Sequence, residues 1–390
     1  MSKSPTSADL VVRTLQISDR SDLSGGPILM TRLLQGLSEH GFEHLVVCPD
    51  RPEGVNGILA KTPNVQLLNL PLRELRTQNP YFLFRAAQQF RPSLIHSHGK
   101  AAGLYSRALG KCLRIPVIHH YHGLHYRQYS AWKRAAYLWT ERNLAKVTDR
   151  IICVSESERE EAEELRLAEG RQWVVIPNGV DTQQFCPRPE LRLPMRAQLG
   201  IPETAFVVWC TMRNDPVKQP ELALALQGLL TTSNPEAFFV IAGMDDTDLD
   251  SFERQGVSLR RSHIRVLKDK TNLHEWLNIA DCYLNTSRWE GLSLGLLEAM
   301  ATGLPAVLSD VTGNQEVAPL QGNGVRLVHP NHIDGYLKNL KIFSDSKRQC
   351  HSEGARCREY VESHFNTTMM IQSITLLYQT IADSVENRKT

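Results

Sequence analysis

Short runs of Val, Ile and Leu alternate with stretches of helical period along almost the whole chain. VVRTLQI, HLVVC, VQLLNL, SLIHSH, IPVIHHY, RIICV and QWVVI predict strands in the first half. AFVVWC, AFFVIAG, HIRVL, DCYLN, PAVLSD and VRLV predict strands in the second. Apolar residues recur at helical spacing between them, as in ILMTRLLQGLSEH, AAGLYSRALGKCL, ELALALQGLLTT, LHEWLNIA and LSLGLLEAMA; after His329 the pattern is helical to the end. This alternation predicts parallel sheets flanked by helices, built twice: an α/β chain of two Rossmann-like, doubly wound domains facing across a cleft. The stretch Ile176–Gly200 holds four prolines, an Asn-Gly turn and no sustained period, and is read as the interdomain linker. The domains are therefore expected at 1–182 and 183–367, with ligands at strand carboxyl ends.

A length of 390 residues agrees with two or three domains at ~150 residues each. The net charge of +2 hides an asymmetry: Pro71–Arg150 carries 14 Lys/Arg against three acids, and SESEREEAEEL at Ser155–Leu165 reverses the sign. That acidic run reads as a solvated helix face. The basic half invites an anionic partner but lacks the dense tracts of a nucleic-acid binder, so none is expected. MSKSPTSADL does not read as a signal peptide, and no apolar run approaches the ~20 residues of a membrane span. Eight cysteines without a C-x-x-C pair fit a reduced, cytoplasmic setting.

Four stretches carry chemistry. In SRWEGLSLGLLEAMATGLPAVLSD, Ser287–Asp310, Glu290 lies on the loop before a helix and Glu298 inside it, among Leu296, Leu297, Ala299 and Met300. Ser293 is a plausible N-cap, and the amides of Gly291, Leu292, Ser293 and Leu294 form an anion site at the helix start. Two acids flanking an anion suit neutral hydroxyls, as on a sugar or ribose; the alternative is that Glu298 pairs with a distant arginine and Glu290 is a surface acid. In CTMRNDPVKQPELALAL, Arg213 and Lys218 follow a strand and precede a helix opening at Pro220, a placement that suits a diphosphate. In SDRSDLSGGPILMTRLL, Gly25 and Gly26 form a close-approach turn before a helix, without a G-x-G-x-x-G. The histidines His96, His98, His119, His120, His122 and His125 lie near strand ends; hydrogen bonding to a sugar or acceptor is preferred to metal ligation, with His122 the leading residue. DDTDLD is read as a helix's first turn, not a metal motif. Tyr129–Lys146, with Trp132 and Trp139, is read as a helix on a sheet, and membrane-surface contact is the alternative.

WEGLSLGLLEAMATGLPAV resembles the signature of glycosyltransferase family four, retaining enzymes of the GT-B fold acting in bacterial polysaccharide and lipopolysaccharide synthesis. SGGP, IHSHGK, the HG of YHGLH, VSESE, IPNGVDTQQF, MRNDPVK and IAG match in order along nearly the whole chain. The resemblance implies that Arg213 and Lys218 hold the nucleotide diphosphate and Glu298 the ribose. Glu290 would contact the donor sugar, with Gly291, Leu292, Ser293 and Leu294 on sugar and diphosphate. His122 would touch the transferred sugar, Gly25 and Gly26 the diphosphate or acceptor, and the backbone near Leu267 the base. His98 is placed on the acceptor side. The last helix, 368–390, would complete the first domain. No metal and no cofactor are required. Departures are T-M-R-N before the lysine, Ser293 for a glycine, and T-G-N-Q-E at Thr312–Glu316.

The expected activity is transfer of a sugar, with retention, from a nucleotide-diphosphate sugar, UDP-hexose or UDP-N-acetylhexosamine by default. The expected acceptor is a glycan or lipid-linked molecule at the cytoplasmic membrane face, with peripheral contact to anionic lipid. Rival readings are a sugar-nucleotide epimerase or phosphorylase, a non-catalytic two-lobed binding protein, and a dehydrogenase, against which the missing G-x-G-x-x-G counts.

Overall fold

The computed structural model describes residues 11–386 except 75, 125, 269–271, 319–321 and 323. His125 and the end of the last helix, 387–390, therefore lie outside the described residues.

The chain divides into two compact units, Met1–Pro177 with Thr368–Thr390, and Asn178–Thr367. In unit 1 the strands are β1 (Arg13–Ser18), β2 (Glu43–Cys48), β3 (Val65–Asn69), β4 (Leu94–His98), β5 (Val117–His120), β6 (Arg150–Cys153) and β7 (Trp173–Val175). They pair in parallel in the order β3-β2-β1-β4-β5-β6-β7. In unit 2, β8 (Phe206–Thr211), β9 (Ala237–Ala242), β10 (Ile264–Leu267), β11 (Cys282–Asn285), β12 (Ala306–Ser309) and β13 (Val325–Val328) pair in the order β10-β9-β8-β11-β12-β13. Central strands buried on both faces explain the unbroken apolar runs: Val207, Val208, Trp209 and Cys210 are all fully buried. Strand order reverses between β1 and β4 and between β8 and β11, and at such points the carboxyl ends splay to leave room for a ligand.

The final helix, Thr367–Glu386, belongs to unit 1 for most of its length. A Cβ on Gly36 would stand 2.1 Å from Ile371 Cδ1, and Tyr378 is fully buried against Phe42 and His96. The two chain segments that pass between the units run side by side: Val180 N–H donates to Phe365 O at 2.8 Å and Thr367 N–H to Val180 O at 3.0 Å. Gly179 leaves room for this, since its Cβ would stand 2.6 Å from Thr367 Cα.

One expectation needs correction. The expected linker Ile176–Gly200 is only partly irregular, because Pro189–Gln198 is a helix, entered by a proline in its first turn and containing Pro194. Arg196 on that helix is 1% exposed and donates to the carbonyls of Ile279, Glu203 and Ala205 and to Asp281 Oδ2. This half of the stretch is core of unit 2. The acidic helix Glu156–Glu164 does present a solvated face, with Glu156, Glu160, Glu163 and Glu164 exposed, while Glu158 on its other side is 1% exposed.

Candidate functional site

In unit 2 the candidate residues gather at the carboxyl ends of β8 and β11. Lys218 Nζ donates to Glu290 Oε1 at 2.6 Å, and the same oxygen accepts from Ser287 Oγ at 2.6 Å and Asn285 Nδ2 at 3.2 Å. Burial opposes ionisation of Glu290, but Lys218 and these donors outweigh it and hold the carboxyl below its ordinary range. Arg213 is exposed, with a guanidinium nitrogen 3.9 Å from Asp215 Oδ2. Gln219 turns the chain between Lys218 and the helix Pro220–Ser233 through a left-handed conformation, φ 48°. Thr286 Oγ1 fixes that turn by donating to the carbonyls of Lys218 and Gln219, at 3.1 and 3.2 Å.

The helix Leu294–Ala301 opens beside this pair, its N-cap Ser293 making no side-chain cap bond. Its first amides have no intrahelical partner and carry the positive end of the dipole. Gly295 lets the helix close on β8: a Cβ there would stand 2.8 Å from Thr211 Cβ. Glu298 on the same helix is 7% exposed. Leu267, at the end of β10, accepts from Gly243 N–H at 3.0 Å.

Three residues that sequence reasoning did not single out shape the Glu290–Leu294 loop. Asn178, read above as part of a linker turn, is buried and donates to Leu292 O at 2.7 Å. Gly313, at φ +84°, lies so close that a Cβ would stand 1.8 Å from Gly291 O and 2.9 Å from Glu290 O. Asn314 is fully buried and donates to Asn285 Oδ1 at 3.1 Å, turning that amide's nitrogen toward Glu290. The departure T-G-N-Q-E thus supplies two of the supports.

In unit 1, Gly25 and Gly26 are the first residues of the helix Gly25–Glu39, and a Cβ on Gly26 would stand 3.9 Å from His122 Cδ2. His122 follows β5 in a backbone conformation that L residues rarely adopt, φ 154°. The turn is held by Glu158, whose two oxygens accept from Gly123 N–H at 2.6 Å and Val154 N–H at 2.7 Å. Burial pushes this carboxyl up to about 7, against the pull of those amides. The local signal for Glu158 was VSESE, where a serine caps a helix three residues before a glutamate; Ser155 does accept from Glu158 N–H at 3.0 Å.

His98 is 4% exposed; its Nδ1 lies 3.1 Å from His122 Nε2 and its Nε2 3.2 Å from Gln16 Oε1. His119 is bonded to Ser97 Oγ at 2.9 Å, and His120 stacks 4.1 Å from His122. Burial holds His96 down to about 3 and keeps His98, His119 and His120 well below 6.5, so these rings are neutral. Among the described residues, His96, His98 and His120 are the one set whose ligand-type atoms all lie within 4.8 Å of each other.

Two parallel sheets of doubly wound order, each with polar residues at strand carboxyl ends where such sheets take ligands, fit the two-domain GT-B fold. Residues 23–184 match the model described as Glycosyltransferase Family 4, and 192–362 match Glycosyl transferases group 1. The chain belongs to this family of glycosyltransferases. It is 27% identical over 305 residues, 76% of this chain and 77% of the relative, to the UDP-Gal:alpha-D-GlcNAc-diphosphoundecaprenol alpha-1,3-galactosyltransferase of Escherichia coli. It is 30% identical over 219 residues, 53% of this chain and 60% of the relative, to the lipopolysaccharide core biosynthesis mannosyltransferase LpsB of Rhizobium meliloti. Among solved structures, Anabaena HepE in complex with UDP and glucose superposes at a TM-score of 0.80 with 16% identity, covering 94% of this chain and 99% of that one.

Proposed function

We propose that the protein transfers a hexose or N-acetylhexosamine from a UDP-sugar to a lipid-linked glycan acceptor, retaining the anomeric configuration and using no metal. The observation that carries this is the Lys218–Glu290 pair beside the open end of the helix Leu294–Ala301. Lys218, Arg213 and the amides of Gly291, Leu292, Ser293 and Leu294 supply positive charge for a departing diphosphate. Glu290 holds Lys218 in place and accepts from a donor-sugar hydroxyl, Glu298 takes the ribose hydroxyls, and the backbone at Leu267 meets the base. In unit 1, His122 contacts the transferred sugar, Gly25 and Gly26 admit its diphosphate, and His98 stands behind His122 instead of meeting the acceptor itself.

In the reaction the acceptor oxygen bonds to the anomeric carbon on the face the diphosphate leaves. The anomeric C–O bond breaks with its electron pair passing to the phosphate oxygen, which also takes the acceptor's proton. The name of the Escherichia coli relative, with its UDP-sugar donor and diphosphoundecaprenol acceptor, supports both substrate classes. Peripheral membrane contact fits the helix Ala131–Ala145, which buries only Leu138, Glu141 and Ala145 and leaves Trp132 and Trp139 70% and 66% exposed. These tryptophans share one helix face with Lys146, a composition suited to an anionic lipid interface.

Saturation-transfer NMR with UDP, GDP, ADP and NAD tests the donor reading; binding of NAD with none of the three nucleoside diphosphates would sink it. Lys218→Ala should abolish transfer while leaving the circular dichroism spectrum unchanged, and undiminished turnover would remove the phosphate assignment.

A further inference from the structure

Beneath the His122 turn a chain of hydrogen bonds runs through buried groups. Gln16 Nε2 lies 2.9 Å from Thr14 Oγ1 and 3.0 Å from Tyr378 Oη, while its Oε1 lies 3.2 Å from His98 Nε2. Tyr378 Oη lies 2.6 Å from His96 Nδ1, and His98 Nδ1 lies 3.1 Å from His122 Nε2. Thr14, Gln16, His96 and Tyr378 are fully buried and His98 nearly so. Solvent therefore does not scramble the order.

A neutral imidazole has one N–H and one lone pair, so the bond at one nitrogen dictates the role of the other. An amide oxygen only accepts, hence His98 donates from Nε2 to Gln16. Its Nδ1 is then a lone pair and accepts from His122 Nε2–H. Tyr378, accepting from Gln16, gives its one proton to His96 Nδ1, which leaves His96 with the proton on Nε2. Turning the Gln16 amide over reverses each of these bonds and moves the proton to Nδ1 on all three rings. Both orders make the three histidines alike, and Gln16 is the point where the direction is chosen.

We propose that Gln16 is a positioning residue that sets the tautomer of His122 through His98, holding His122 in the Nε2–H form with Nδ1 as hydrogen-bond acceptor. Burial keeps His96 and His98 uncharged, the condition for a tautomer to carry information. Glu158 contributes by fixing the His122–Gly123 turn so that the imidazole meets His98. In this order both nitrogens of His98 are committed, so a three-histidine metal site with His96 and His120 would have to break the His98–His122 bond. Resting on the function proposed above, the consequence is that His122 meets a donor-sugar hydroxyl as an acceptor.

The test is two-bond 1H–15N correlation on the full chain labelled with 15N-histidine, at pH 7.5 without donor, with rings assigned by single substitutions. His96, His98 and His122 should each show one tautomer, Nε2–H. Unlike tautomers at His98 and His122, Nδ1–H on all three, or averaged shifts at either would overturn the proposal. In Gln16→Met the His98 and His122 shifts should move to intermediate values. kcat for transfer should then fall about tenfold, the scale of one hydrogen bond, with KM for the nucleotide sugar unchanged. Unmoved His122 shifts in that variant would also overturn it. If the shifts move and transfer does not, the relay stands and the sugar contact of His122 is what fails. Should Gln16→Met not fold, the unsubstituted protein's spectrum decides alone.

Discussion

Lowering the pH from 7.5 to 5.5 should loosen unit 1 and leave unit 2 nearly intact. His44, His96, His98, His119 and His120 all have folded pKa values below the 6.5 of an exposed histidine, because burial disfavours their charged forms. Below pH 6.5 the unfolded chain binds protons that the folded unit refuses, so stability is intact above 6.5 and falls as the pH drops. For His44 the loss stops accruing near its folded value of about 4, and for His96 near about 3. One pH unit below 6.5 each histidine contributes a loss of a little over 1 kcal/mol, so the set amounts to about 7 kcal/mol. Glu158 works in the other direction: pushed up to about 7 from 4.5, it binds its proton preferentially in the folded state and returns about 2 kcal/mol by pH 5.5. The net loss of about 5 kcal/mol is on the scale of a domain's whole stability. In unit 2, Glu290 and Asp245 are held below their ordinary ranges of 4.5 and 3.8, by Lys218 and Lys268 foremost among their partners. Their stabilisation persists until the pH falls below those values. Hydrogen exchange by mass spectrometry, corrected for intrinsic rates, reads the difference. Protection of β4 and β5 should fall by nearly four orders of magnitude, the equivalent of about 5 kcal/mol, between the two pH values, and that of β8 and β11 by much less. A loss under tenfold at β4 and β5, or an equal loss in both units, would refute the argument.

Asn178→Ala removes the donor to Leu292 O and should cost about 1–3 kcal/mol in chemical denaturation, with weaker nucleotide-sugar binding by calorimetry. Gly313→Ala puts a Cβ 1.8 Å from Gly291 O at a positive φ, so transfer should be lost even where the protein remains folded by circular dichroism. Glu298→Gln should chiefly raise the Kd for UDP, whereas Glu290→Gln should chiefly lower kcat; if both alter only the melting temperature, neither touches the donor. Replacing Trp132 and Trp139 with Ala should reduce sedimentation with anionic liposomes, and equal pelleting would move any lipid contact elsewhere.

The strands were legible because buried parallel strands leave unbroken β-branched runs, and Lys218 and Glu290 because charges at strand ends stand out against them. What escaped notice depends on partners far along the chain. Asn178 bonds a carbonyl 114 residues away, whereas its local signal, Asn-Gly, says only turn. Glu158 looked like one acid among many; beside the nearby amide of Val154 it accepts from Gly123, 35 residues away, and that bond has no local signal. Prolines between Ile176 and Gly200 suggested an open connection, yet Pro189 begins a helix whose Arg196 is tied to carbonyls on two separate segments, at Glu203 and Ala205 and at Ile279.

The return of the last helix to unit 1 has a consequence for biosynthesis. Tyr378, which bonds both Gln16 and His96, is synthesised 362 residues after the first and 282 after the second. From Pro177 to Tyr378 translation takes roughly 10–40 s at ~5–20 residues per second. For that interval the nascent first sheet stands with its polar centre uncovered, and its maturation waits for the second unit to be synthesised.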